Sequence, residues 1–119
     1  MRTILGAHYL THSKDLLKEL KFMSIKDRII FLSGCMVYKA LNSLTPKYLS
    51  TKFVPIHLKH EHVTRSSSQG NLQTRRFKTN YGKSMFDYQG SLIWNVICPH
   101  VRKNSTLSTF KKHLKSELK

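Results

Sequence analysis

A chain of 119 residues suits one small domain that buries roughly two-thirds of its unfolded surface, and a hydrophobic content of 39% gives it a modest core. Lys and Arg number 21 against six acidic residues, a net charge of +15 that repels itself until something anionic covers it. The longest apolar stretch, around residues 29–41, is broken by Ser33 and Lys39 and falls short of the roughly 20 residues of a membrane span, so a transmembrane segment is excluded.

Residues 1–10 lack the apolar run and cleavage site of a signal peptide, and Cys35 and Cys98 are the only cysteines. A reducing intracellular setting, nucleus or cytoplasm, is therefore expected. The natural partner for such a surface is nucleic acid, because neutralised phosphates release condensed counterions.

In chain order, Ser13 reads as the cap of a short helix whose Leu16, Leu17 and Leu20 share a face while Lys14, Lys18 and Lys21 meet water. Ser24 with Asp27 three residues on opens the clearest helix. Ile25, Ile29, Leu32, Met36 and Ala40 recur at helical spacing in it, with Ile30, Val37 and Leu41 widening the stripe. Gly34 inside that helix costs about 1 kcal/mol relative to Ala, so a close neighbour is expected there. Thr45-Pro46 reads as a hydroxyl cap before a proline at the first helical position, starting a short helix to about Lys52.

Residues 57–71, with three histidines, Ser66-Ser67-Ser68 and Gly70 but no apolar period, read as a flexible connector. Residues 72–85 have β-compatible residues on both sides of Asn80-Tyr-Gly82, which could turn a short hairpin. Phe86, Gly90, Ile93 and Ile97 then fall at helical spacing, Trp94 is expected to anchor the core, and Pro99 opposes continuation past Cys98. Ser105 caps a terminal helix with Leu107, Phe110, Leu114 and Leu118 on one face and lysines elsewhere. The expected fold is a small, mainly α domain with room for that hairpin, α+β being the alternative. Residues 1–56 form a helical segment, 57–71 the connector, and 72–119 the rest of the same domain.

An ordered series of short motifs runs through this chain. Leu17-Lys-Glu-Leu20, Ile25-Lys-Asp-Arg28-Ile29, Val37-Tyr-Lys-Ala-Leu-Asn42, Leu44-Thr-Pro-Lys-Tyr-Leu49, Thr64-Arg-Ser-Ser-Ser-Gln-Gly70, Arg76-Phe-Lys-Thr-Asn-Tyr-Gly82, Leu92-Ile-Trp-Asn95 and Phe110-Lys-Lys112 follow one another. Together they resemble the segment after the polymerase core in non-LTR (LINE-type) retrotransposon reverse transcriptases, over about residues 16–119. The specificity lies in the order, each motif alone being weak. Phe22-Met-Ser24 and Cys98-Pro99 depart from that pattern, where the family tends to have Trp-Leu-Pro and Leu-Pro.

The resemblance implies binding of element RNA and target DNA beside catalytic domains that this chain does not contain. The residues agree: Asp15, Asp27 and Asp87 are the only aspartates and none is adjacent to another, whereas two-metal phosphoryl chemistry gathers carboxylates around both ions. The chain is expected to be no enzyme, with no catalytic residue and no cofactor. His57, His60 and His62 could present imidazoles to a metal, but the cysteines do not complete the set. Cys98 and His100 are near one another, Cys35 is far away and no Cys-x2-Cys pair exists, so no metal site is expected. Cys35, inside an apolar helix, reads as a small buried hydrophobe.

The expected nucleic-acid contacts are Arg65, Arg75, Arg76, Lys78 and Lys83, in a span without an acidic residue and interleaved by Phe77 and Tyr81, with Lys111, Lys112 and Lys115 of the terminal helix. Guanidinium groups hold phosphates and exposed aromatics stack on bases. The same pattern also describes a solvated face over core aromatics. A basic amphipathic helix can touch an anionic membrane, but packing with lysines in water is the reading adopted, so no membrane partner is expected. The alternatives to nucleic-acid binding are a helical segment docking on the parent element's polymerase core and an inert relic of a degraded element.

Overall fold

The computed structural model describes residues 1–59 and 62–118, and the chain is mainly α. In order the helices are α1 (Arg2–Leu5), α2 (Ser13–Glu19), α3 (Ile25–Leu41), α4 (Lys47–Ser50), α5 (Arg65–Ser68), α6 (Asn80–Lys83), α7 (Phe86–Val96), α8 (Pro99–Arg102) and α9 (Leu107–Glu117), with a 3-10 turn at Ile56–Leu58. None of the described helices is long and apolar enough to cross a membrane.

Helix α3 is the central element, and α7 and α9 both pack on it. Ser24 caps it as expected, its hydroxyl accepting from the Asp27 N–H at 3.2 Å. A methyl group at Gly34 would stand 3.1 Å from Ile97 Cδ1 and from Leu114 Cδ2, so glycine here lets both neighbouring helices approach. Tyr38 stacks on Phe110 with ring centroids 4.5 Å apart and donates its hydroxyl to the Asn104 carbonyl at 2.8 Å. Position 34 thus meets 97 and 114, whereas Tyr38 meets Phe110 and Val37 adjoins Gly90. Both partners therefore run antiparallel to α3. Trp94 also stacks on Phe110, at 5.9 Å, and Val37, Phe53, Leu72, Val101 and Leu114 belong to the same buried cluster.

Most of the expected core stripe of α3 is displaced, although Ala40 of that stripe and Val37 beside it are buried. Ile25, Ile29, Leu32 and Met36 are exposed, Ile25 at 80% and Ile29 at 56%, while Gly34, Cys35, Val37, Tyr38 and Ala40 are buried. Ile25 and Gly34 are nine residues apart, roughly two and a half turns, so these two positions face opposite ways, while buried Cys35 and Ala40 lie on the flanks between the two faces. The helix is apolar on two faces, and spacing alone could not choose between them.

Three caps also shift. The imidazole of His12, not Ser13, accepts from Lys14 N–H at the start of α2. Pro46 occupies the N-cap of α4, and the Thr45 hydroxyl is buried without a partner. Thr106 rather than Ser105 caps α9. Each displacement is one residue, within the usual blur of helix ends.

The hairpin is absent. Among the described residues β pairing is limited to an isolated antiparallel bridge, Pro55 with Leu72, and Asn80-Tyr-Gly-Lys83 forms α6, capped by the Thr79 hydroxyl accepting from Gly82 N–H. A hydroxyl at 79 serves the helix start, and that local bond competes with a hairpin turn. Turns of helix also interrupt the stretch read as a connector: Thr64 and Ser67 form a reciprocal capping box on α5.

Candidate nucleic-acid interface

The basic segment is built from a clamp. Gly70, Asn71 and Leu72 are held by three side chains from the C-terminal part of the chain. Trp94 Nε1 donates to the Gly70 carbonyl at 3.1 Å, and Arg102 Nη1 donates to Asn71 Oδ1 at 2.6 Å. The Asn95 amide donates to the Leu72 carbonyl at 2.9 Å and accepts from its N–H at 2.8 Å. On the opposite side, Ile56 N–H donates to Asn71 and Gln73 N–H to Val54. Burial of Arg102 lowers its guanidinium pKa from the ordinary value, the nearby Cys98 acting in the opposite sense.

From that clamp the chain runs back along α7. Leu72 is tied to Asn95, Arg75 Nη1 lies 3.7 Å from Asp87 Oδ2, and the Phe77 ring meets Tyr88 edge-on at 5.9 Å. Phe77 also fills the space above Gly82, where a methyl group would fall 2.7 Å from its Cδ1. Residues on either side of an inward-facing position in extended chain face outward, and Arg76 and Lys78 are accordingly exposed. Tyr81 on α6 is 84% exposed. Lys83 beside it is exposed as well, its carbonyl fixed by the Gln89 side chain at 2.7 Å.

Of the two aromatics in this stretch, Phe77 thus packs and Tyr81 projects. Arg75 differs from its neighbours: Asp87 is buried, its Oδ1 accepting from Tyr88 N–H, and the guanidinium partly balances that carboxylate. Arg65 is exposed in α5, ahead of the clamp.

Lys111, Lys112 and Lys115 are exposed on α9. Because α7 and α9 both oppose α3, the starts of these two helices lie at the same end of the bundle, which brings Lys111 and Lys112 nearer to the α6 end than Lys115. Among the described residues no hydrogen bond or ion pair joins the two basic sets. Lys111 approaches α3 instead, where its charge and that of Lys39 partly offset the desolvation that raises the pKa of the buried Cys35 thiol.

His57 and His62 are exposed; His60 lies outside the described residues. The trio among the described residues whose side chains could hold a metal ion is a different one, Cys98, His100 and Glu117, whose donor atoms all lie within 4.8 Å of one another. Glu117 is the member that the sequence reading missed. It is 17 positions from His100, and only the antiparallel return of α9 past α8 brings it there. The Cys98 thiol is raised from its ordinary pKa, first by its hydrogen bond to Glu117, then by desolvation and the carboxylate charge.

No family model, curated protein or solved structure matches the chain.

Proposed function

We propose that the chain is a non-catalytic nucleic-acid-binding appendage of a LINE-type reverse transcriptase, holding RNA or DNA chiefly by its phosphates. The observation that carries this reading is the group Arg76, Lys78, Tyr81 and Lys83: three exposed cations around one exposed aromatic, on a segment held at one end by Asn95 and at the other by Gln89. Cations carried on a held backbone can contact phosphates, and a projecting phenol offers a face for a base. Arg75 acts mainly on Asp87, and the α9 lysines extend the field. A reducing intracellular setting accompanies this function and accords with two free thiols.

Fluorescence anisotropy over a salt series, on two unrelated duplexes and one RNA hairpin, tests the proposal. With about six phosphates contacted, log affinity on duplex DNA falls against log salt with a slope of about −5. The triple variant Arg76→Ala, Lys78→Ala, Lys83→Ala flattens that slope by up to about 3, with similar losses on unrelated sequences.

A second reading is favoured by the outer stripe of α3. Ile25, Ile29, Leu32 and Met36 form an apolar face on a helix whose opposite side already fills the core, and such a face suits docking on a larger body such as the parent polymerase core. Triple-variant binding equal to that of the parent on all three ligands would transfer the function to this stripe.

A further inference from the structure

We propose that Cys98, His100 and Glu117 form a zinc-binding site that fastens the end of α9 to the start of α8, with solvent supplying the fourth ligand. The inference is independent of the nucleic-acid reading.

The donor set is a thiol, an imidazole and a carboxylate. This combination suits Zn2+, a borderline-soft ion that accepts sulfur, nitrogen and oxygen in one tetrahedron, and does not suit Mg2+ or Ca2+, which take oxygen. Zinc bonds of about 2.0–2.3 Å place tetrahedral ligand atoms on the order of 3.5 Å apart. Here the three donor atoms lie within 4.8 Å, and His100 Nε2 already stands 3.9 Å from Glu117 Oε1. Cys98 and His100 are exposed, the His100 side chain at 72%, whereas that of Glu117 is 28% exposed, so the remaining contraction falls chiefly on the torsions of the thiol and the imidazole.

The backbones that carry the ligands are fixed. Cys98 is the N-cap of α8, and its carbonyl accepts from Val101 N–H at 3.0 Å and Arg102 N–H at 3.3 Å. Val101 is fully buried, and Arg102 is bonded to Asn71. Glu117 ends α9, whose Phe110 and Leu114 sit in the core. Ligands on two anchored elements are preorganised for the ion, so binding needs no refolding. Three protein ligands and open solvent give weaker retention than the closed four-ligand sites that hold zinc structurally.

The test uses the full chain, purified without metal, and Co2+ as a spectroscopic stand-in for Zn2+. Stoichiometric Co2+ is expected to give the intense visible bands of a tetrahedral site together with a thiolate-to-cobalt charge-transfer band, both removed by added Zn2+. Cys98→Ser abolishes the charge-transfer band. His100→Gln and Glu117→Gln, which remove ligands outright, each weaken binding by at least the roughly tenfold that loss of an outer-shell partner costs, while His100→Cys restores it with a second thiolate. Zinc raises the melting temperature of the parent, since it binds only the folded chain, and this rise is lost in Cys98→Ser. Urea melts of the metal-free variants check that each is folded, as substitution of exposed residues predicts. Cys35→Ala and the paired change His57→Gln, His62→Gln leave the spectra unchanged. Absence of a thiolate band, a band surviving Cys98→Ser or lost in Cys35→Ala, or parent-like affinity in both His100→Gln and Glu117→Gln would overturn the site.

Discussion

Asn95 makes with Leu72 the two-bond exchange that a neighbouring strand would make, donating to its carbonyl and accepting from its N–H, at 2.9 and 2.8 Å. A helix side chain thus satisfies both polar groups of a buried residue. Asn95→Leu leaves both unpaired and costs about 1–3 kcal/mol, read from urea unfolding. Asn95→Asp keeps an acceptor for the N–H but strands the carbonyl. Amide exchange at Leu72 should accelerate more in the leucine variant than in the aspartate one; equal protection in all three proteins would show that the exchange does not hold the segment.

Trp94 serves packing and clamp at once, stacked on Phe110 and bonded to Gly70. Trp94→Ala costs roughly 3–5 kcal/mol, a large share of the stability available to so small a domain. Trp94→Phe retains a stacked ring and gives up the bond to Gly70, a smaller loss of about 1 kcal/mol. Thermal melting should place Trp94→Phe between the parent and Trp94→Ala.

Gly82 and Gly70 are both sensitive, for different reasons. In Gly82→Ala the new methyl meets Phe77 at 2.7–2.9 Å and displaces the ring from Tyr88, at about 1–3 kcal/mol. Gly70 has φ +69 and nothing within 4 Å of an added Cβ, so Gly70→Ala suffers backbone strain alone, about 1 kcal/mol. Near-ultraviolet circular dichroism separates the two: the aromatic signal changes in Gly82→Ala and is preserved in Gly70→Ala.

The two thiols should differ in access. Cys98 is exposed and reacts with a thiol reagent in the folded chain, whereas Cys35 is buried and waits for unfolding. Burial raises the Cys35 pKa above its ordinary 9.0. Above pH 9.0 the unfolded thiol loses its proton before the folded one, so the folded state binds more protons and stability falls as pH rises further. Cys35→Ala should make that decline shallower, measured by urea midpoints across the alkaline range.

Helix content and much of the packing were readable from sequence because they rest on local signals: the Ser24 cap, the Phe110 and Leu114 face of α9, Gly34 as a close approach, Trp94 as an anchor. The face of α3 was not readable. Ile25, Ile29, Leu32 and Met36 keep helical spacing as faithfully as Ile30, Val37 and Leu41, and only the positions of α7 and α9 decide which set is covered. The apparent hairpin failed because Thr79 caps a helix turn by a bond that residue types around Asn80 do not reveal. Arg75 could not be told from Arg76 either, since what separates them is Asp87, twelve residues from Arg75.

The outer stripe of α3 also sets how copies of this chain treat one another. Its apolar face invites self-association, and the +15 charge opposes it through long-range repulsion. Salt removes that protection, shortening the reach of charge from about 8 Å at physiological ionic strength to about 3 Å at 1 M, while leaving the apolar attraction intact. The chain's colloidal behaviour should therefore invert that of an ordinary salt-solubilised basic protein: light scattering rises with ionic strength, and Ile29→Lys with Leu32→Lys suppresses the rise.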